Sequence, residues 1–275
     1  MEYNVCMEKL QKSRPKVHCL TNPVSMADVA NLLLTAGGSA IMAQDPAEVD
    51  EITSFCQATL LNTGVPDEEK IRACILAGKK ANELGHPVVL DPVAAGASAL
   101  RRRESARLLD GVRFTVIRGN ASEIRALALG VGAGSGVDAD PADLVTGAGL
   151  KQAAEIAQSL SRRTGAVVVT SGAIDIVTDG ARTFAVRSGC PMMARITGSG
   201  CMLSALTGAF CGANPCRPLE ATLAAVAAMG VCGERADRRR MANGTGNATF
   251  RNDLIDAVSL LTPEELEQEA CYDEI

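Results

Sequence analysis

Thr197-Gly198-Ser199-Gly200-Cys201 stands directly before an apolar run in which Leu203, Leu206 and Phe210 recur at helical spacing. This pattern predicts a helix over 200–212 whose first backbone N–H groups have no intrahelical partner. Free donors at the positive end of a helix dipole form an anion site, and glycine lets a phosphate approach the backbone closely. A helix N-terminus is also expected to lower the pKa of the Cys201 thiol. The same residues fit a plain glycine-rich turn, with Ser199 as N-cap and Cys201 as a small buried apolar side chain.

Other residues with chemical potential follow apolar runs. Asp91 comes directly after Val88-Val89-Leu90, where a carboxylate can hold Mg²⁺ through waters or close an Asx turn on its own backbone. Arg118 follows Val116-Ile117, where its guanidinium can grip a phosphate. Asn120 and Glu123 have capping-box spacing, and Glu123 can equally be a second water-mediated magnesium ligand. Ser171-Gly172 follows Val167-Val168-Val169-Thr170 and offers a hydroxyl and a backbone N–H to a phosphate, or simply makes a turn. Met42 suits either core or the apolar wall of a small-molecule pocket, and His18 reads as a structural histidine. Neither G-x-x-x-x-G-K-[ST] nor G-x-G-x-x-G after the first strand occurs, so phosphate chemistry here needs another architecture.

Strands and helices that could position these residues alternate along the chain. Strands are expected at 17–20, 39–43, 59–62, 87–90, 113–117 and 166–170, with helices at 26–36, from about 47, at 67–84, 104–109, after Asn120 and at 151–163. Continuously apolar strands in such alternation indicate a mostly parallel sheet covered on both faces, a three-layer α/β/α sandwich. Residues 130–149 contain six glycines and read as a loop. Residues 174–178 and 183–186 around Asp179-Gly180 read as a hairpin with a type I′ turn, and helices at 200–212, 218–236 and about 250–260 complete the chain. With no linker or repeat, 1–275 is expected to be a single domain. Ligands of open parallel sheets bind beyond the carboxyl ends of the strands. That rule selects Thr21-Asn22, Gln44-Asp45, Asn62, Asp91, Arg118-Gly119-Asn120 and Ser171-Gly172.

Composition narrows the partners. At 47% hydrophobic the chain can bury a large core, and its net charge of −5 disfavours nucleic acid. No apolar run has the length of a membrane span, so the cytoplasm is the expected location. The ten cysteines are scattered without C-x-x-C and only two histidines accompany them, which favours reduced core thiols over a zinc site. An aromatic content of 3% leaves little for stacking a substrate between rings.

Five motifs occur in order: Thr21-Asn-Pro-Val-Ser-Met-Ala-Asp-Val-Ala-Asn31, Ile41-Met-Ala43, Leu90-Asp-Pro-Val-Ala-Ala-Gly-Ala97, Ile117-Arg-Gly-Asn-Ala-Ser-Glu-Ile124 and Thr197-Gly-Ser-Gly-Cys201. The chain thereby resembles the hydroxyethylthiazole kinases of thiamine salvage, within the ribokinase-like superfamily, from about Val17 to Phe210. The resemblance implies transfer of the ATP γ-phosphate to the hydroxyl of 4-methyl-5-(2-hydroxyethyl)thiazole with Mg²⁺. It also implies a homotrimer with thiazole pockets at subunit interfaces. Residue by residue, it puts Met42, Asn22 and Gly198 at the thiazole, Arg118 and Ser171 at ATP, and Asp91 and Glu123 at magnesium. Gly198, Ser199, Gly200 and Cys201 form the implied anion hole, with Cys201 where related sugar kinases carry an aspartate base. The chain departs from the family pattern at Ala94, where glycine is usual, at Ser171, where threonine is common, and at Gly136-Val-Asp-Ala-Asp140.

Three other functions compete with an alcohol kinase. A ribokinase-like nucleotide-hydrate dehydratase would be favoured by aspartate in place of Cys201. A cysteine-nucleophile hydrolase needs a base that neither histidine supplies from an obvious motif. A non-catalytic thiazole sensor would keep the pocket without turnover.

Overall fold

The computed structural model describes residues 3–130 and 147–275. Its sheet has nine strands in the order β2-β1-β3-β4-β5-β6-β7-β8-β9. Strands β1 (Lys16–Leu20), β2 (Ser39–Ile41), β3 (Ala58–Asn62), β4 (Val88–Asp91), β5 (Val116–Asn120) and β6 (Val167–Ser171) are parallel. Strands β7 (Asp175–Thr178), β8 (Thr183–Val186) and β9 (Tyr272–Glu274) continue the sheet in antiparallel fashion.

Alternation of side chains sorts the parallel strands into two apolar layers. Val17, Cys19, Leu60, Val89, Val116 and Val169 face one cluster, packed by α1 (Tyr3–Ser13), α2 (Met26–Thr35), α8 (Ser199–Ala213), α9 (Pro218–Asn243) and α10 (Asn247–Leu260). Leu20, Leu61, Leu90, Ile117 and Val168 face the other, packed by α4 (Glu68–Leu84), α5 (Ala99–Gly111), α6 (Ala121–Leu129) and α7 (Gly147–Thr164). The expected three-layer α/β/α architecture is therefore present. Helix α4 shows why local sequence suffices for its ends: Asp67 Oδ1 accepts the Lys70 N–H at 2.8 Å, and Gly85 closes the helix in the left-handed region at φ +70°. His18 is structural, as expected. It is fully buried between Thr53 Oγ1 and Ala43 O, each at 2.8 Å.

Several boundaries differ from expectation. The strand expected at 113–117 is displaced to Val116–Asn120, so Arg118 lies within β5 and Asn120 both ends the strand and caps α6. Strand β2 stops at Ile41, and α3 (Val49–Ser54) begins two residues beyond the expected start. Of the expected 130–149 loop, 131–146 lie outside the described residues, as does the Gly136–Asp140 motif, while α7 already begins at Gly147. The β7–β8 connection is not a two-residue type I′ turn. Its four residues close around Asp179, whose Oδ1 accepts the N–H groups of Ala181 (2.9 Å) and Arg182 (2.7 Å), with only Gly180 at positive φ. Periodicity also missed α11 (Pro263–Glu269) and β9, both too short to show a period.

Candidate active site

The order β2-β1-β3 reverses the direction of strand addition between β1 and β3, the point at which open parallel sheets carry their ligand crevice, at the carboxyl ends. Asn22 follows β1 and Asn62 ends β3, and the two meet across the crevice with Asn22 Nδ2 donating to Asn62 Oδ1 at 3.0 Å. Asn62 Nδ2 donates in turn to Asp91 Oδ2 at 2.7 Å. Helix α8 packs across β1, β3 and β4 and brings Cys201 onto the same spot. The Cys201 sulfur accepts the Asn62 Nδ2–H at 3.2 Å and the Asn22 Nδ2–H at 3.5 Å. One helical turn on, Ser204 Oγ donates to Asp91 Oδ2 at 3.0 Å.

The start of α8 lacks the Ser199 N-cap that the plain-turn reading of Gly198–Cys201 supposed. Gly198 occupies the N-cap position at φ +84°, a region that disfavours any side chain, and no side chain caps the helix. Ser199 is the first helical residue and not the N-cap. The first N–H groups of this helix therefore have no capping side-chain oxygen. Arg118 reaches over them from β5: a Cβ on Gly200 would collide with Arg118 Nη1. Its Nε donates to Ser171 Oγ at 3.1 Å, across the β5–β6 pair. Arg118, Ser171 and the α8 N-terminus thus form one electropositive wall.

In the first turn of α6, Glu123 makes the capping box with Asn120. Its Oε2 accepts the Asn120 N–H and its Oε1 the Ala94 N–H, both at 2.7 Å. Burial pushes the pKa values of both Asp91 and Glu123 up, and the Asp91 charge raises that of Glu123 further. Two buried carboxylates, one of them raised by the charge of the other, are an arrangement a divalent cation relieves. Among the described residues no group of three or more His, Cys, Asp or Glu is placed to hold a metal. This pair accordingly fits a cation that keeps its waters and leans on substrate phosphates, as Mg²⁺ does.

The thiol departs from expectation. Burial, and next the Asp91 charge, push the Cys201 pKa up; the Asn22 hydrogen bond and the Arg118 charge oppose this without overcoming it. Met42 lies just beyond the edge strand β2, partly buried against the same apolar cluster as Cys201. Of the expected site residues, Asn22, Asp91 and Cys201 form one contiguous hydrogen-bonded group, while Arg118 with Ser171 and Glu123 flank it.

Residue-by-residue reading missed Ser204, Asp175 and Lys70. Ser204 lies three residues after Cys201, on the same helix face, and that spacing was the available signal. Asp175 opens β7 and accepts the Gly172 N–H at 2.8 Å. Burial pushes its pKa up to about 6 against the opposing pull of that N–H and of Arg118. Lys70 looks like one more charge on an amphipathic helix, and nothing in its neighbours reveals that it is buried.

Residues 7–264 match the hydroxyethylthiazole kinase family. A hydroxyethylthiazole kinase of Clostridium acetobutylicum is 48% identical over 267 residues, 97% of each chain. The chain belongs to the hydroxyethylthiazole kinase family. A second relative of the same description, from Desulfovibrio desulfuricans, is 48% identical over 93% of this chain and 92% of its own. The solved structure of a hydroxyethylthiazole kinase protein from Pyrococcus horikoshii superposes with a TM-score of 0.86 at 33% identity, covering 99% of this chain and 98% of that one. Pyridoxal kinase from Staphylococcus aureus in complex with ADP shares the fold, with a TM-score of 0.54 at 16% identity over 80% of this chain and 88% of its own. A hydroxyethylthiazole kinase must seat a phosphoryl donor and an alcohol on opposite sides of one anion site. The α8 N-terminus, with Arg118 on one side and the Asn22–Asn62–Cys201 group on the other, has that form.

Proposed function

We infer that this site transfers the γ-phosphoryl group of ATP to the hydroxyl of 4-methyl-5-(2-hydroxyethyl)thiazole, the salvage step of thiamine synthesis. The observation that carries the reading is the uncapped N-terminus of α8, with Arg118 laid over Gly200 and the Asn62–Asp91–Cys201 group beside it. The N–H groups at Ser199, Gly200 and Cys201 receive the negative charge of the phosphoryl oxygens, and the Arg118 fork and the Ser171 hydroxyl hold the nucleotide phosphates. Asn22, Met42 and Gly198 bound the alcohol's side of the crevice. Phosphoryl transfer asks mainly for this positioning and charge stabilisation.

Asp91 and Glu123 are the residues that would hold Mg²⁺, which when bound neutralises phosphate charge; the burial of both carboxylates and the rise of Glu123 beside Asp91 support the assignment. The Cys201 thiol, with its raised pKa, stays protonated near neutral pH and accepts hydrogen bonds through sulfur. In a loose transition state the alcohol's proton leaves late and can pass to an oxygen of the transferred phosphoryl group, so the protonated thiol need not take it and serves to position the hydroxyl. Cys201→Ala is therefore expected to lower kcat by about 10- to 100-fold, at or below the low end of general-base effects, and to leave a measurable kinase. A loss beyond about 10⁴-fold with substrate binding intact would make the thiol an indispensable base.

Shared sites in a homotrimer are supported by two apolar side chains at the rim. Val24 and Val65, on the loops after β1 and β3, are 61% and 56% exposed, and a neighbouring subunit would cover them. Sedimentation of the active protein as a monomer would remove that reading. A cytoplasmic location is supported by the thiols: all ten cysteines are free. No helix among the described residues is long and apolar enough to cross a membrane.

Incubation with ATP, Mg²⁺ and the thiazole alcohol, followed by mass measurement of the product, tests the function. A phosphorylated alcohol with ADP is expected. ATP consumed with the alcohol unchanged would point to the dehydratase class instead, and binding without turnover to a sensor.

A further inference from the structure

Lys70 lies on α4, in the layer opposite α8, and is only 6% exposed. Its ammonium donates to Thr21 O at 2.9 Å and to Gly64 O at 2.6 Å, two carbonyls just past the ends of β1 and β3. The charged and thiol groups that face it are Asp67, Arg101, Cys74 and Cys201. A buried cation satisfied by backbone carbonyls is costly in a fold that could bury an apolar side chain instead. What the cation holds gives it a purpose.

From Gly64 the contacts run unbroken to the thiol. Gly64 N–H donates to Asn62 Oδ1 at 2.9 Å. A Cβ at position 64 would stand 2.7 Å from Asn22 Nδ2 and 2.9 Å from Asn62 Oδ1, so this peptide is packed directly against both amides. Those amides are the two donors to the Cys201 sulfur. The next residue, Val65, is β-branched at φ +51°, a conformation that persists only when its surroundings enforce it. On the other side, Lys70 grips the carbonyl of Thr21, whose neighbour is Asn22. Arg101 repeats the device one strand along, donating from Nη1 to Thr63 O (3.1 Å) and Val93 O (2.8 Å).

We propose that Lys70 is a positioning residue for the acceptor side of the site: its buried ammonium ties the loop after β1 to the loop after β3 and so fixes the two asparagines that hold the Cys201 sulfur. The inference rests on the kinase reading above. It makes the alcohol side of the crevice depend on a charge on the far face of the sheet, while the Arg118–Ser171 wall is independent of it.

Steady-state kinetics of Lys70→Met, Lys70→Arg and Gly64→Ala against the parent test this. Lys70→Met removes the charge at similar volume and is expected to lower kcat for the thiazole alcohol by about 10- to 100-fold, the scale of an ångström-sized misplacement. The KM for ATP should stay within about two-fold of the parent, because the brace does not touch the nucleotide wall. Lys70→Arg keeps charge and donors and should recover most of the loss. Gly64→Ala keeps the Lys70 side chain, displaces the same amides from the peptide that Lys70 holds, and should reproduce the kcat loss, which reads the brace even where Lys70→Met does not fold. In Lys70→Met/Cys201→Ala the two losses should not multiply, because both act on one group. Parent-like kcat in folded Lys70→Met, with only a lowered melting temperature, overturns the proposal. So does multiplication of the two losses, or a rise confined to the KM for ATP. A parent protein that does not phosphorylate the alcohol overturns the kinase reading and the proposal with it.

Discussion

At the residue scale, two side chains carry strain or charge that the fold tolerates for the sake of the site. Ala94 sits at φ +54°, buried, with its N–H committed to Glu123. An L-residue in this region costs roughly 1–2 kcal/mol, which glycine avoids. Ala94→Gly is therefore expected to stabilise the protein by about 1 kcal/mol, part of the relief being offset by the freer unfolded chain, and to raise Tm by about 2–4 °C. Calorimetry checks it, and an unchanged or lower Tm would mean that the methyl's packing outweighs the backbone strain. Asp175, with its pKa pushed up from 3.8 to about 6, works in the opposite sense from a salt-bridged carboxylate. The native state binds the proton more tightly than the unfolded state between those values. The side chain's contribution is thus fully present below pH 3.8 and is lost as pH rises through about 6. Asp175→Asn keeps an acceptor for the Gly172 N–H and removes the charge. The variant should gain stability relative to the parent between about pH 4 and 6 and hold the gain at pH 7. Urea midpoints across that range measure it; a gain that shrinks with rising pH would show that Asp175 is not desolvated.

At the scale of elements, the site depends on how the start of α8 meets the end of β5. Gly200 is needed because the Arg118 guanidinium occupies the space a Cβ would take. Gly200→Ala is expected to push that guanidinium aside and weaken its charge-assisted bonds to the nucleotide phosphates. Such bonds are worth about 1.5–3 kcal/mol, so the KM for ATP should rise roughly 10- to 100-fold while Tm moves little, since the colliding group is the end of a flexible side chain. A fall in alcohol affinity with the KM for ATP unchanged would place Arg118 on the wrong side of the crevice. The capping box at Asn120–Glu123 shows the same economy of elements. One carboxylate ends a strand, starts a helix and faces Asp91, so the structural role and the metal-holding role proposed above fall on the same two oxygens.

Across the whole molecule, the sheet joins the two ends of the described chain. Strand β9 covers the β8 edge, with Arg187 N–H donating to Cys271 O at 2.8 Å and Ile275 N–H to Thr183 O at 2.9 Å. Arg182–Glu274 and Arg187–Asp273 add exposed ion pairs worth little. The Tyr272 ring does more, meeting Tyr3 of α1 edge-on at 4.9 Å and Phe184 at 6.2 Å. Removal of 271–275 should cost about 2–4 kcal/mol from lost aromatic burial and pairing, and bare the β8 edge to association. Chemical denaturation together with light scattering checks this; a truncated protein with parent stability and no aggregation would show that β9 is an ornament of the sheet.

The sequence by itself determined the layers and the strand-end polar set. Apolar runs such as Val167-Val168-Val169 can be buried on both faces only in a covered parallel sheet, and each ends at the polar residue that must then lie at the carboxyl edge. Asn22, Asn62, Asp91, Arg118 and Ser171 were legible for that reason, and Gly198–Cys201 because glycines before a helical period mark an open helix start. Tertiary structure alone decided what these groups are worth. The raised Cys201 pKa comes first from burial and next from Asp91, 110 positions away in sequence. The Arg118–Gly200 contact joins a strand to a helix on another part of the chain, and the burial of Lys70 follows from two loops folding over α4. Side-chain periodicity reports which face a residue occupies, but charge, desolvation and close approach depend on distances between segments, and only the packed sheet sets those.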